Sequence, residues 1–271
     1  MTVARAPGEP PAVEELTRAE LPAVVAARDV SLPTFSDEEL AVVCADPGAL
    51  QADARLAGLS QEARETALRT ALRSLVARGY VGPPPVHTPG RTTRKATVHG
   101  ALALVVELRR RPAAVARVGR EPDDGRERLL HVVEDRRVVL VEAVAGGYHA
   151  FVLRGMERAV AWLAGLADPE GHARCDGDPV VRRGGRHPPG WERVEAAAAG
   201  ATSVTRLDVL HLRDPDRGAR AQLSVAAGPQ GVWAVSGSRA DDGSDEVAAM
   251  PVSRATLAWL LHRCLVPEPD R

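Results

Sequence analysis

The sequence predicts an α+β protein with two quasi-symmetric halves, each an antiparallel sheet with flanking helices, preceded by an N-terminal helical segment. Apolar residues recur at helical spacing through residues 16–82, whereas short β-like runs between turn residues fill most of the remaining chain. The order helix, four strands, helix occurs twice, in residues 98–167 and 190–266. Residues 1–15 are predicted to form a disordered tail, and the polar residues 168–189 a linker.

Capping residues mark the first helices of the N-terminal segment. A helix is predicted over Leu16–Arg28, with Thr17 as the N-cap and Glu20 completing a capping box. Ser36 is followed by three acidic residues and predicts the start of a second helix, which runs through Cys44.

The clearest helix of the segment begins at Ser60 and ends at Gly79, which supplies the C-terminal stop. One apolar face recurs at helical spacing and consists of Leu68, Ala71, Leu72, Leu75 and Val76. The Pro- and Gly-rich residues 83–93 that follow predict a break in regular structure.

The first half begins with a helix over Val98–Arg110, which Pro112 ends. Four strands are then predicted, over Ala113–Val118, Arg128–Val133, Arg137–Ala143 and Tyr148–Leu153. Short turns separate them, as consecutive hairpins require. A helix over Met156–Ala167, which carries Ala161-Trp162-Leu163, closes the half.

The second half repeats this order after the linker. A helix is predicted over Trp191–Ala199, and Ser253 caps a last helix that carries Ala258-Trp259-Leu260. Between them, strands are predicted over Val204–Leu212, Ala221–Ala226, Val232–Ser236 and Val247–Val252. Trp162 and Trp259 are interpreted as core anchors, because both lie on amphipathic helices.

Composition favours a cytoplasmic protein that does not bind nucleic acid. The chain has 35 Lys and Arg residues against 36 Asp and Glu residues, and this balance argues against binding through phosphate contacts. No apolar stretch has the length of a membrane span or the form of an export signal. Three widely spaced cysteines suit a reducing compartment.

Motifs of catalysis and cofactor binding are missing from the sequence. It has no phosphate-binding loop, dinucleotide fingerprint, nucleophile elbow or zinc-protease motif, which predicts a non-enzyme without a cofactor. An enzyme without a linear motif stays an alternative. His172 with Cys175, and His262 with Cys264, lack the paired spacing of zinc ligands, so no metal site is expected.

Residues 62–81 also resemble the recognition helix and following strand of a winged-helix domain. This helix carries four arginines that would face phosphates in such a domain, Arg64, Arg69, Arg73 and Arg78. The alternative function is therefore a DNA-binding transcriptional regulator with a C-terminal sensory or partner-binding domain. The other interpretation is a solvated arginine face, balanced by Glu62 and Glu65.

The turn between the third and fourth strands of the first half is the candidate binding site. It comprises Val144, Ala145, Gly146, Gly147 and Tyr148, here called the hairpin tip. These residues are unusually apolar for a surface turn, and an exposed apolar tip is costly unless it serves recognition. The alternative is that the turn folds under a neighbouring loop and completes the core.

The chain resembles the EspG family, the cytosolic chaperones of type VII secretion in actinobacteria, over roughly residues 30–266. Three segments carry the resemblance: Leu68–Val81 with its Val-Ala-Arg-Gly-Tyr-Val ending, Leu104–Val118 around Arg111-Pro112, and Val252–Leu261. A glycine-rich strand of the family is replaced by Gly231-Val-Trp-Ala-Val235. The resemblance implies two sheet-and-helix halves and a cytosolic adaptor that binds a secreted helical protein pair and covers its sticky tip.

Overall fold

The computed structural model describes residues 19–44, 54–82, 97–122, 124–133, 136–183, 188–212, 220–239 and 245–266. The helices are α1 (Leu21–Ala27), α2 (Asp37–Val43), α3 (Ala54–Ala57), α4 (Gln61–Ala77), α5 (Gly100–Arg110), α6 (Met156–Ala167), α7 (Trp191–Ala199) and α8 (Arg254–Leu265). The strands are β1 (Val30–Ser36), β2 (Ala114–Glu121), β3 (Glu127–Val132), β4 (Val138–Ala145), β5 (Tyr148–Gly155), β6 (Val180–Arg183), β7 (Ser203–His211), β8 (Arg220–Gly228), β9 (Gly231–Arg239) and β10 (Asp245–Pro251). The predicted tail, the Thr17 cap and the break over 83–93 lie outside the described residues.

The strands form one sheet in the order β1-β5-β4-β3-β2-β7-β8-β9-β10-β6. Its central pair, β2 and β7, is antiparallel, with Ala114 opposite His211 and Glu121 opposite Val204. From this pair outward, each half has its four predicted strands in the order of the sequence. The α+β class with two quasi-symmetric halves is therefore confirmed, whereas the superposition of residues 98–167 on 190–265 stays a prediction.

Strand β1 is a strand that the predicted N-terminal helical segment did not include. It pairs antiparallel with β5, with Val30 opposite Leu153, and buries Val30, Leu32 and Phe35. The strand also contains Pro33, and the sheet order places it at an edge, where the missing proline N–H is tolerated. Seven residues interrupted by proline give too short an alternation to reveal the strand.

Strand β6 corrects the prediction that residues 168–189 are only a linker. It pairs antiparallel with β10, with Val181 opposite Ala248, and forms the other edge of the sheet. Four residues are too few to show a strand period in the sequence. Because β1 and β6 precede the opening helices of the two halves, α5 and α7, the repeat includes one more strand per half than predicted.

The chain packs as two compact units. Unit 1 comprises residues 1–111 and 142–153, and unit 2 comprises residues 112–141 and 154–271. The fully buried large side chains of unit 1 include Phe35, Leu75 and Phe151. This division differs from the halves of the repeat, because β4 and β5 contribute residues to both units. The predicted domain boundaries stay a prediction.

Three of the four predicted capping residues start a helix. Ser36 and Glu39 form a full capping box at α2, and the Ser60 and Ser253 hydroxyls accept hydrogen bonds at the starts of α4 and α8. The predicted start of the first helix is wrong. Helix α1 begins only at Leu21, and Glu20 is its N-cap and makes no side-chain cap there.

Helix α4 ends as predicted at a glycine in the left-handed region, Gly79, with φ of 75°. The Tyr80 N–H donates to the Leu75 carbonyl at 2.9 Å, and the Gly79 N–H donates to the Val76 carbonyl at 3.0 Å. This pair of bonds is the Schellman motif. Helix α5 starts two residues later than predicted, because Val98 forms an isolated bridge with Val81.

The interpretation of Trp259 as a core anchor is wrong. Its side chain is 51% exposed, because Leu257, Leu261 and Leu265 form the buried face of α8 and lie on another side of the helix. Trp162 is half-buried. The buried tryptophans are Trp191 and Trp233, which pack together in one cluster of unit 2.

Candidate functional site

The hairpin tip is a two-residue turn between β4 and β5. Gly146 and Gly147 have φ of 58° and 82°, as a type I′ turn requires, and side chains are disfavoured in both conformations. Ala145 and Gly146 are exposed, Val144 and Gly147 are half-buried, and Tyr148 is 62% exposed. These exposures exclude the alternative of a turn folded into the core.

Strand β1 and the start of α2 lie beside the hairpin tip. Ser36 stands opposite Tyr148 in the β1–β5 ladder, and the next residue, Asp37, begins α2. The Asp37 N–H donates to the Gly147 carbonyl at 3.0 Å. One of the first N–H groups of α2, which have no partner within the helix, therefore binds the turn directly.

A chain of four charged side chains, here called the charge chain, lies beneath the tip. The Nδ1 of His149 is 2.6 Å from Oε1 of Glu142, and its Nε2 is 2.6 Å from Oδ1 of Asp37. Glu142 is fully buried, and its Oε2 lies 3.2 Å from Nε of Arg109. The order Arg109, Glu142, His149, Asp37 alternates in sign if His149 is protonated, so each charge faces an opposite one.

The environment of His149 favours the charged imidazolium. The side chain is 5% exposed, and this burial lowers its pKa, but the hydrogen bonds to Glu142 and Asp37 outweigh burial and raise the pKa above its ordinary value. The ring also stacks on Phe151, with centroids 6.2 Å apart and planes at 12°. Histidine with two carboxylate partners is a charged structural link between α2, β4 and β5.

The charge chain was not predicted from the sequence. Its members come from α2, α5, β4 and β5, and are separated by up to 112 positions. One signal was available, since Glu142 interrupts the apolar run of β4 and is its only charged residue. A carboxylate in a strand that is otherwise apolar needs a buried cation.

A second polar cluster surrounds Glu39 and joins α2 to α4. Its carboxylate accepts hydrogen bonds from Ser74 Oγ at 2.7 Å and from Arg78 Nη1 at 2.9 Å. Arg78 Nη2 donates to the Thr34 carbonyl at 3.1 Å, and the guanidinium lies 4.9 Å from the ring centroid of Tyr80. The Arg-Gly-Tyr sequence at the end of α4 therefore serves packing within unit 1.

This cluster weakens the winged-helix interpretation of α4. Arg78, one of the four arginines expected to meet phosphates, is bound to Glu39. Arg64, Arg69 and Arg73 are exposed along the helix. The cationic surface that α4 offers is therefore smaller than the sequence suggested.

Cys44 and Cys264 are poor nucleophiles. Burial raises the pKa of the Cys264 thiol to about 11, although the nearby Arg263 opposes the shift. Burial also raises the pKa of Cys44, against the charge of Arg109. Both thiols are protonated at neutral pH, and the thiolate is the reactive form.

The described part of the chain holds no cluster of metal ligands and no membrane-spanning helix. In those residues, no three His, Cys, Asp or Glu side chains are arranged to hold a metal ion, and His172 instead pairs with Glu170 at 2.8 Å. None of the helices placed there is long and apolar enough to cross a membrane.

Comparison with known proteins identifies a fold and no family. No family model and no curated protein matches the sequence. Among solved structures, the chain is similar to the Mycobacterium tuberculosis type VII secretion system chaperone EspG5, solved in complex with the PE25–PPE41 dimer. The TM-score is 0.50, at 11% sequence identity, over 89% of this chain and 97% of that chain. The fold expected from the resemblance to the EspG family is therefore confirmed.

Proposed function

We propose that this protein is a cytoplasmic, non-enzymatic chaperone that binds a helical protein pair, of the kind that serves type VII secretion. The observation that carries the proposal is the shared fold, because it extends over 97% of a chaperone solved with its protein partner. Fold alone does not determine function, so the proposal also needs a binding surface in this chain.

The hairpin tip is the surface we propose for partner binding. Tyr148 presents a large ring to solvent on the short β4–β5 turn, and tyrosine is among the residues that dominate binding energy in protein interfaces. The turn is held at Gly147 by Asp37, and the neighbouring His149 is fixed by the charge chain. A side chain presented from such a fixed backbone loses little conformational entropy on binding.

The partner chemistry follows from the tip. Its residues are apolar or glycine, apart from the tyrosine hydroxyl, so it suits an apolar helical surface better than a charged one. A helix end with exposed apolar side chains aggregates in water unless another protein covers it. We therefore propose a pair of helical secreted proteins as the substrate, with no nucleic acid and no membrane insertion.

The test is co-purification from the native host, with wild type compared with Tyr148→Ala and Val144→Asp. We expect both variants to fold and to bind the partner at least tenfold more weakly, a loss of at least about 1.4 kcal/mol of binding free energy, and therefore to recover far less of it. Leu59→Ala is the control, because Leu59 is also an exposed apolar residue of unit 1, at 41% exposure. Equal recovery by folded Tyr148→Ala would remove the tip as the site, and no helical partner at all would end the chaperone proposal.

The second candidate is the DNA-binding regulator, favoured by the exposed Arg64, Arg69 and Arg73 on α4. It predicts a salt-sensitive shift of DNA mobility that Arg69→Ala with Arg73→Ala abolishes. The chaperone proposal predicts no such shift at physiological ionic strength.

A further inference from the structure

Asp37 is joined to the hairpin at two points. Its backbone N–H donates to the Gly147 carbonyl at 3.0 Å, and its side-chain Oδ1 lies 2.6 Å from Nε2 of His149. Gly147 and His149 flank Tyr148 in the sequence. Asp37 therefore closes a ring of contacts around the residue that the proposed function makes the partner anchor.

We propose that His149 is a proton-dependent latch that fixes the hairpin tip to the start of α2, and that partner binding is regulated through its protonation. The latch itself stands on the geometry of the free protein, and its effect on binding rests on the proposed function of the tip.

The two hydrogen bonds of His149 require the imidazolium. Both ring nitrogens face carboxylate oxygens at 2.6 Å, and a carboxylate accepts hydrogen bonds but does not donate them. A neutral imidazole has a single N–H, so one nitrogen would direct its lone pair at a carboxylate oxygen. Loss of the proton therefore removes one of the two hydrogen bonds and leaves a ring lone pair facing a carboxylate oxygen, which is repulsive.

Each element packed against His149 affects how firmly the ring holds its second proton. Strand β4 supplies Glu142, α2 supplies Asp37, and α5 supplies Arg109, which pairs with Glu142 and lowers the pKa of His149. Strand β1 places the apolar Phe35 opposite His149. The two carboxylates raise the pKa of His149 more than the Arg109 guanidinium lowers it, so the imidazole ring keeps its second proton.

The direction of the pH dependence follows from the raised pKa of His149. The stabilisation of the closed tip is complete below the ordinary histidine pKa of 6.5, and is lost as the pH rises through the folded-state value. The latch is closed below pH 6.5 and opens as the pH rises through the raised pKa of His149. A histidine that served packing alone would give no such dependence.

Hydrogen exchange of the Asp37 amide tests the latch, because this N–H binds the Gly147 carbonyl. Exchange rates of this amide are measured by NMR from about pH 6 to about pH 9. Each rate is expressed as a protection factor, the intrinsic rate at that pH divided by the observed rate, which removes the intrinsic pH dependence of exchange. In wild type we expect protection to fall by up to about tenfold per pH unit between the two pKa values, the limit for linkage to one proton. His149→Gln should give a low and flat profile, and the control His172→Gln, in unit 2, should behave as wild type.

A flat wild-type profile, or an equal slope in His149→Gln, would overturn the latch. If His149→Gln does not fold, titration of the wild-type His149 ring by NMR decides, and a pKa at or below 6.5 overturns the proposal. Partner recovery across the same pH range separates the latch from the proposed function. Tyr148→Ala with full recovery removes the tip as the site while the amide profile stands, whereas a flat profile with a strong Tyr148→Ala effect removes only the latch.

Discussion

Replacement of Glu142 by glutamine should destabilise unit 1 strongly, because it breaks the charge chain at the residue that joins Arg109 to His149. The side chain is fully buried and pairs with both Arg109 and His149. Glutamine keeps the shape but removes the charge, which leaves two buried cations without their shared anion. Loss of one partner of a buried pair typically costs about 3–5 kcal/mol, and we expect about 3 kcal/mol because His149 can release its proton.

Urea denaturation followed by far-UV circular dichroism measures this loss. Tryptophan fluorescence should be recorded in parallel, because all four tryptophans of the chain lie in unit 2, whereas Glu142 lies in unit 1. The matched control is Glu65→Gln, since Glu65 is exposed and accepts a hydrogen bond only at the surface of α4, from Gln61 at 3.1 Å. We expect the control to stay within about 0.5 kcal/mol of wild type. A loss of less than about 1 kcal/mol for Glu142→Gln would refute the claim that Arg109 and His149 depend on the buried Glu142 charge.

Three further changes test other contacts. Arg78→Ala removes the guanidinium that pairs with the buried Glu39, while Ser74 Oγ and the Ser36 N–H still donate to the carboxylate, and should destabilise unit 1 by about 1–3 kcal/mol. The exposed Arg73→Ala should change stability by less than about 0.5 kcal/mol in the same urea titration. Gly147→Ala forces a side chain into the left-handed region and should cost about 1–2 kcal/mol, with Gly147→Asn less costly in thermal unfolding. Ser253→Ala removes the N-cap of α8 and should lower the free energy of unfolding by about 1 kcal/mol, and an unchanged value would mean that the cap bond contributes nothing.

Local signals explain why so much of the fold was predictable. A cap such as Ser60 satisfies N–H groups two or three residues away, and Gly79 ends its helix by its own backbone conformation. Both effects act within one turn of chain, so they can be recognised without tertiary information. Hairpin turns act in the same way, and the Gly146-Gly147 pair sets the pairing of β4 with β5.

The features that were missed depend on distant residues. Strands β1 and β6 are short, and their conformation follows from pairing with β5 and β10. The charge chain exists only because the β1–β5 register brings the start of α2 beside the hairpin. The hairpin tip could be proposed from its composition, whereas the buried contacts beneath it could not, because nothing in the residues around His149 identifies Asp37 as its partner.

The β2–β7 pair has a consequence for how the two halves can differ. Two separate, identical halves would meet through the same strand edge as an isologous dimer, and symmetry would force the same residues onto both hairpins. Here the antiparallel contact over Ala114–Glu121 lies within one polypeptide. The two halves can therefore carry different residues at equivalent positions. One half ends its third strand in a two-glycine turn, while the other joins β9 to β10 through five residues of different sequence. A single chain can therefore carry the hairpin tip once, without a copy of it in the other half.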